Sequence, residues 1–132
     1  MIWDDWRECV IYEVQVAQEF AAAHWLHNYP GNCGQLHGHT WKVEITLMGE
    51  ELDEAGMLVD FREARRLLGE VTGRFDHKLI NEIKPFDTMS PTAENLARII
   101  FEQLKSQFVN CKLESVRVWE TSAASACYRE EA

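Results

Sequence analysis

The sequence predicts an α+β fold in which two helices cover one face of a four-stranded antiparallel sheet. Two segments with an apolar residue at every second position come first. Two segments with apolar residues three and four positions apart follow, and a hairpin pattern comes last. The predicted order is therefore ββααββ, which favours an antiparallel sheet with helices on one side. At 132 residues and 46% hydrophobic content, we expect a single domain over residues 1–132.

The first two strands are predicted from strict alternation of apolar and polar residues. In the first strand, which runs toward Phe20, the apolar set is Tyr12, Val14 and Val16. Residues 27–34 are rich in Asn, Pro and Gly and predict a loop. In the second strand the apolar set is Trp41, Val43, Ile45 and Leu47. His37 and His39 have the parity of that second set, so we expect them on its inward face.

Two amphipathic helices are predicted next. Asp60 can cap the first helix, which ends or kinks near Gly73 and Asp76. Its apolar stripe is Phe61, Ala64, Leu68, Val71 and Phe75. Ser90 followed by Pro91 predicts the start of the second helix, with proline at its first position. Its core stripe is Leu96, Ile100, Leu104 and Phe108.

A terminal hairpin completes the predicted sheet. Val116, Val118 and Glu120 share one face of its first strand, and a short strand near Ala126 and Tyr128 pairs with it. Glu120 should therefore face inward, where a buried carboxylate needs partners. The alternative is a strand-end residue turned to solvent.

Composition excludes several functional classes. The formal charge of −9 gives no electrostatic basis for binding nucleic acid or an anionic membrane. No apolar run approaches the roughly 20 residues of a membrane span, and the acidic start is unlike a secretory signal. The four cysteines are scattered without a C-x-x-C pair. Two disulfides are possible, but a reduced cytoplasmic chain is the simpler interpretation.

Three histidines suggest a metal site. His37 and His39, two positions apart on a strand, point to the same side, and His24 from a neighbouring strand could complete a three-imidazole zinc site. Such a site keeps a fourth position open, as catalytic zinc does. Histidines facing a core are commonly just hydrogen-bonded core residues, and spacing alone leaves both interpretations open. His27, three residues after His24, competes for the third position but is the weaker candidate, because it lies on the opposite strand face or already in the loop.

Candidate acid–base residues accompany the histidines. Cys33 lies four residues before His37 in a polar loop, where a nearby dication would lower the thiol pKa and supply a base. A buried structural cysteine is the alternative. Asp76 beside His77 places a carboxylate next to an imidazole at a helix end, and a surface helix terminus is the alternative there.

Six motifs in order resemble the 6-pyruvoyl-tetrahydropterin synthase family from about Tyr12 to Arg129. They are Phe20-Ala-Ala-Ala-His24, Cys33-x3-His37-Gly-His39, Gly56-x-Leu58-Val-Asp60-Phe61, Phe75-Asp76-His77-x-Leu79-Ile-Asn81, Pro91-Thr-Ala-Glu-Asn-Leu-Ala and Val118-Trp-Glu120-Thr. A cysteine four residues before the first histidine of H-G-H resembles the 6-carboxytetrahydropterin synthase branch of queuosine biosynthesis.

The resemblance implies a T-fold whose protomers form trimers and then a hexamer, with active sites between subunits. It implies conversion of 7,8-dihydroneopterin triphosphate to 6-carboxy-5,6,7,8-tetrahydropterin, acetaldehyde and triphosphate. The implied zinc ligands are His24, His37 and His39, and the implied catalytic set is Cys33, Asp76, His77 and Glu120. Glu120 would also anchor the pterin, with Thr92 lining its pocket. The alternatives are a 6-pyruvoyl-tetrahydropterin synthase activity and a non-catalytic zinc- or pterin-binding oligomer.

Overall fold

The computed structural model describes residues 10–31 and 34–131 and contains a mixed five-stranded sheet with two helices. In chain order the elements are β1 (Tyr12–His24), β2 (His37–Gly49), α1 (Phe61–Thr72), β3 (Lys78–Leu79), a 3-10 turn (Ile80–Glu82), α2 (Ala93–Leu104), β4 (Lys112–Thr121) and β5 (Ala124–Tyr128). The strand order is β3-β1-β2-β4-β5. Strand β3 is parallel to β1, and the other neighbours are antiparallel.

The prediction of an α+β fold is confirmed, but the prediction of four strands in the order ββααββ is wrong. The additional strand is β3, which lies between the helices in sequence and pairs with Ala22 and Ala23 at the edge of β1. Two residues are too few to produce an alternating pattern, so the sequence contains no periodic signal for this strand.

Strands β1 and β2 pair along their whole length, which brings two of the candidate ligands together. The register runs from Tyr12 opposite Gly49 to His24 opposite His37. The alternating apolar residues of both strands face the helices, and Phe20, Trp41, Val43 and Ile45 are buried. Because side chains alternate along a strand, His24, His37 and His39 continue the inward faces of these strands.

The helices pack against one face of the sheet, α1 on β1 and α2 on β4 and β5. The Asp60 side chain accepts a hydrogen bond from the Arg62 backbone N–H and caps α1, as predicted. The predicted apolar stripe of α1 is wrong at its two ends. Phe61 is exposed to solvent, and Phe75 is buried but lies beyond the end of α1. The core formed by both helices and the sheet includes Leu68, Val71, Leu96, Ile100, Leu104, Val116 and Val118.

Helix α2 begins at Ala93, two residues later than the proline signal predicted. Thr92 is the N-cap, because its hydroxyl accepts a hydrogen bond from the Asn95 N–H at 3.1 Å. Pro91 therefore precedes the helix, which leaves its carbonyl free to contact another part of the chain.

Within the described ranges, neither helix combines the length and apolar character required to cross a membrane. Cys111 and Cys127 are free, whereas Cys9 and Cys33 lie outside the described residues.

Candidate metal centre

Four side chains converge where β1, β2 and β4 come together beside the N-terminus of α2. His24, His37, His39 and Glu120 each offer one ligand atom, and these atoms all lie within 4.8 Å of one another. His24 ends β1, His37 and His39 begin β2, and Glu120 lies near the end of β4. The structure therefore brings together the three histidines selected from the sequence and the carboxylate assigned to the same inward face.

Backbone carbonyls fix the orientation of two of the rings. His24 Nδ1 lies 2.8 Å from the Pro91 carbonyl oxygen, and His37 Nδ1 lies 2.7 Å from that of Gln35. A carbonyl oxygen only accepts hydrogen bonds, so both Nδ1 atoms carry the proton. In the neutral rings, each Nε2 then presents a lone pair.

These two lone pairs face one another, since the Nε2 atoms of His24 and His37 are 3.0 Å apart. Two acceptors at this distance have no hydrogen atom between them unless one ring is protonated. A metal ion bound by both nitrogens resolves the conflict, and a carbonyl partner at Nδ1 is the usual arrangement for a metal-binding histidine. The donor set of this site therefore fits a metal ion such as zinc.

His39 and Glu120 complete the cluster. His39 Nε2 is 2.9 Å from Glu120 Oε1, although among the described residues this buried nitrogen has no partner in hydrogen-bonding geometry. Burial lowers the pKa of His39, partly opposed by the Glu120 charge. Burial also lowers the pKa of the fully enclosed His24. Burial therefore favours the neutral form of both rings, which is the form that binds metals.

His27, the competing candidate, is not among the clustered ligand atoms. Its backbone N–H donates to Ser90 Oγ at 3.1 Å, and its ring packs against that of Trp25 with centroids 4.4 Å apart and planes tilted by 57°. His27 lies outside the group of clustered ligand atoms and therefore provides a matched control for experiments on the clustered histidines.

Asp76 and His77 lie together at the edge of β1, outside the histidine cluster. Asp76 Oδ1 accepts a hydrogen bond from the Ala21 N–H at 2.9 Å, and Oδ2 lies 3.1 Å from His77 Nδ1. The Ala21 N–H is the main cause of the lowered Asp76 pKa. His77 has a φ of +59° and a side chain that is 82% exposed. The pair is therefore preorganised by the backbone of β1 and presents an imidazole outward.

The structure describes only one of the two remaining site residues predicted from the sequence, Cys33 and Thr92. Cys33 lies outside the described residues. Thr92 caps α2, next to the Pro91 carbonyl that contacts His24, and its place in a pterin pocket stays a prediction.

Sequence reasoning missed the groups that orient the rings. The carbonyls of Gln35 and Pro91 are backbone atoms, which no residue type identifies. Asn81 occurs in one of the motifs that resemble the family, but the sequence does not predict that it is buried or that it forms two hydrogen bonds with the Trp25 backbone.

The sequence matches the 6-pyruvoyl tetrahydropterin synthase family over residues 13–131. A 6-carboxy-5,6,7,8-tetrahydropterin synthase of Bacillus subtilis is 36% identical over 100 residues, covering 72% of this chain and 66% of that protein. One from Synechocystis is 34% identical over 114 residues, covering 83% of this chain and 86% of that protein. A structure of Caenorhabditis elegans 6-pyruvoyl tetrahydropterin synthase superposes with a TM-score of 0.82 at 28% identity, covering 92% of this chain and 97% of that one. The chain therefore belongs to the 6-pyruvoyl tetrahydropterin synthase family.

Proposed function

We propose that the protein is a zinc-dependent lyase that converts 7,8-dihydroneopterin triphosphate to 6-carboxy-5,6,7,8-tetrahydropterin, acetaldehyde and triphosphate in queuosine biosynthesis. The observation that carries this proposal is the convergence of three imidazoles with one carboxylate, with their ligand atoms within 4.8 Å of one another. The names of the Bacillus subtilis and Synechocystis relatives support the same branch of the family. Cys33, four residues before His37, also favours that branch.

His24, His37 and His39 would hold the zinc ion, with the Pro91 and Gln35 carbonyls orienting two of the rings. Bound zinc would acidify hydroxyl groups of the substrate side chain. Three protein ligands leave a coordination position for that substrate, as in other catalytic zinc sites.

Glu120 is proposed as the residue that anchors the pterin. Its side chain is 34% exposed, so its carboxylate is accessible to a ligand beside the histidine cluster. The aminopyrimidine edge of a pterin presents neighbouring N–H donors, which a carboxylate can accept in a bidentate manner. Its position within 4.8 Å of the histidine ligand atoms would place the bound pterin next to the metal.

Asp76 and His77 would form the proton-transfer pair. Because Asp76 Oδ2 accepts from His77 Nδ1, the imidazole has its Nε2 available to exchange a proton with the substrate. The Ala21 N–H holds the carboxylate in place, which keeps the tautomer of His77 fixed. Cys33 would be the general base, with its pKa lowered by the nearby dication.

A shared active site accounts for the separation of His77 from the histidine cluster. The His77 side chain is largely exposed and lies outside the group of clustered ligand atoms. We propose that it acts at the metal of an adjacent copy in a cytoplasmic homohexamer built from two trimers. The net charge of −9 supports a small-molecule substrate rather than nucleic acid or a membrane surface.

The alternative within the family is a 6-pyruvoyl tetrahydropterin synthase activity, favoured by the close structural likeness to the Caenorhabditis elegans enzyme. A non-catalytic zinc- or pterin-binding oligomer is less well supported, because binding alone does not require an Asp76–His77 pair fixed on β1.

Product analysis tests the proposal. Purified protein with zinc is incubated with 7,8-dihydroneopterin triphosphate, and the pterin, aldehyde and triphosphate products are quantified. We expect 6-carboxytetrahydropterin and acetaldehyde in equal amounts. Formation of 6-pyruvoyl-tetrahydropterin without acetaldehyde would establish the alternative activity, and an unchanged substrate would favour the binding oligomer.

A further inference from the structure

We propose that two asparagines, Asn81 and Asn95, are positioning residues that hold His24 in its metal-binding orientation. Asn81 and Asn95 together form the amide pair. The inference rests on the metal centre of the proposed function but assigns these residues a role in metal affinity rather than in the reaction.

His24 is the ligand whose orientation depends most on distant parts of the chain. The carbonyl that orients His37 belongs to Gln35, only two residues away. The carbonyl that orients His24 belongs to Pro91, 67 residues away, in the turn that leads into α2. Because His24 is the last residue of β1, its ring is fixed only if the chain after β1 and the turn before α2 are held together.

Asn81 fixes the chain directly after His24. Its Oδ1 accepts from the Trp25 N–H at 2.9 Å, and its Nδ2 donates to the Trp25 carbonyl at 2.9 Å. Pairing between β1 and β3 stops at Ala23 and Leu79, so the side-chain amide replaces the peptide group of a neighbouring strand. Asn81 is only 6% exposed, and removing it would leave both Trp25 backbone groups without their partner.

Asn95 fixes the turn that carries the Pro91 carbonyl. Its Nδ2 donates to the Ser90 carbonyl at 2.9 Å, while Ser90 Oγ accepts from the His27 N–H at 3.1 Å. The residue before Pro91 is thus bound to α2 on one side and to the chain following β1 on the other. These contacts set the position of the Pro91 carbonyl relative to His24, where the measured distance is 2.8 Å.

A displaced carbonyl would let the His24 ring rotate, and a buried ligand that rotates away from the metal weakens the site. Loss of the groups that orient ligands commonly lowers metal affinity by about 10–100-fold. The amide pair contacts the segments that carry His24 and the Pro91 carbonyl and does not contact the His24 ring itself. We therefore expect substitution of either residue to lower zinc affinity roughly tenfold.

Asn95→Asp is the discriminating variant. It replaces the N–H donor by an acceptor that opposes the Ser90 carbonyl, and it places a carboxylate in the first turn of α2, where negative charge stabilises a helix. The two effects act in opposite directions on the stability of the protein. The metal-free protein should therefore unfold at nearly the same temperature as wild type. An added negative charge would by itself attract a dication, so a loss of zinc affinity would oppose the electrostatic trend. Asn110→Asp makes the same chemical change at an exposed position and is the matched control.

The experiment measures zinc affinity by chelator competition and the absorption spectrum of the cobalt-substituted protein, with all variants in the assembled state. We expect Asn95→Asp and Asn81→Ala to lose about tenfold in affinity and to alter the cobalt spectrum, while Asn110→Asp matches wild type. If Asn81→Ala does not fold, Asn95→Asp decides the question. Wild-type affinity and an unchanged cobalt spectrum in Asn95→Asp would overturn the inference. Failure of the wild type itself to bind zinc would instead overturn the proposed metal centre.

Discussion

Removing His37 should abolish most of the stabilisation that zinc gives to the protein. A ligand that binds only the folded state at 100 times its dissociation constant adds about 2.7 kcal/mol to the free energy of unfolding. At roughly 4 °C per kcal/mol for a chain of this size, zinc should raise the wild-type unfolding temperature by about 10 °C. If His37→Ala binds a hundredfold more weakly, the same zinc concentration fills half of the sites, which contributes only about 0.4 kcal/mol, or ~2 °C.

The metal-free His37→Ala protein should be nearly as stable as metal-free wild type. The substitution removes an exposed hydrogen bond to Gln35, worth about 1 kcal/mol or less. It also relieves the approach of the His24 and His37 Nε2 atoms, which are 3.0 Å apart. The two effects oppose one another, so the difference should appear only when zinc is added.

The assay is thermal unfolding with added zinc and with chelator, at one protomer concentration because assembly also affects the transition. His27→Ala is the control, since His27 lies outside the clustered ligand atoms. It should retain the full zinc-dependent increase. A full increase in His37→Ala, or its loss only in His27→Ala, would refute the ligand assignment.

Three further substitutions separate the remaining roles. Glu120→Gln should weaken pterin binding about tenfold while zinc content stays constant, because a charged acceptor exceeds a neutral one by roughly 1–2 kcal/mol; unchanged affinity in a pterin titration would remove Glu120 from the substrate site. Cys33→Ala should keep zinc and bind pterin, but single-turnover rates should fall about a hundredfold, as for loss of a general base; normal turnover would make this cysteine structural. Thr92→Ala should lower the free energy of unfolding by about 1 kcal/mol through loss of the α2 cap, whereas Thr92→Ser should not; equal denaturation midpoints for both variants would contradict the capping role.

Alternation of apolar and polar residues predicted the strands that carry the candidate ligands, because the alternation itself specifies which residues share a face of a strand. Val116 and Val118 placed Glu120 on the inward face, and Trp41 did the same for His39. Strand β3 was missed because two residues, Lys78 and Leu79, are too few to show a period. Its pairing with β1 lies next to the contacts that Asp76 and His77 make with the Ala21 backbone.

Other features depend on the tertiary structure and have no sequence signature. The position of Pro91 was misjudged because a cap one residue later, at Thr92, determines where α2 begins. Its carbonyl contacts a histidine 67 residues away, a distance that no local pattern specifies. The relation of Cys33 and His77 to the candidate metal centre remains a prediction, since Cys33 lies outside the described residues and His77 lies outside the cluster of ligand atoms.

Zinc titration of the metal-free protein, with turnover of 7,8-dihydroneopterin triphosphate followed at each point, shows whether zinc bound to this chain supports the lyase reaction. We expect activity to rise in proportion to bound zinc, to reach its maximum near one ion per protomer and to release one acetaldehyde per substrate consumed. Full activity in the metal-free protein, or saturation with zinc without any acetaldehyde, would contradict the assignment of this chain as a zinc-dependent pterin lyase.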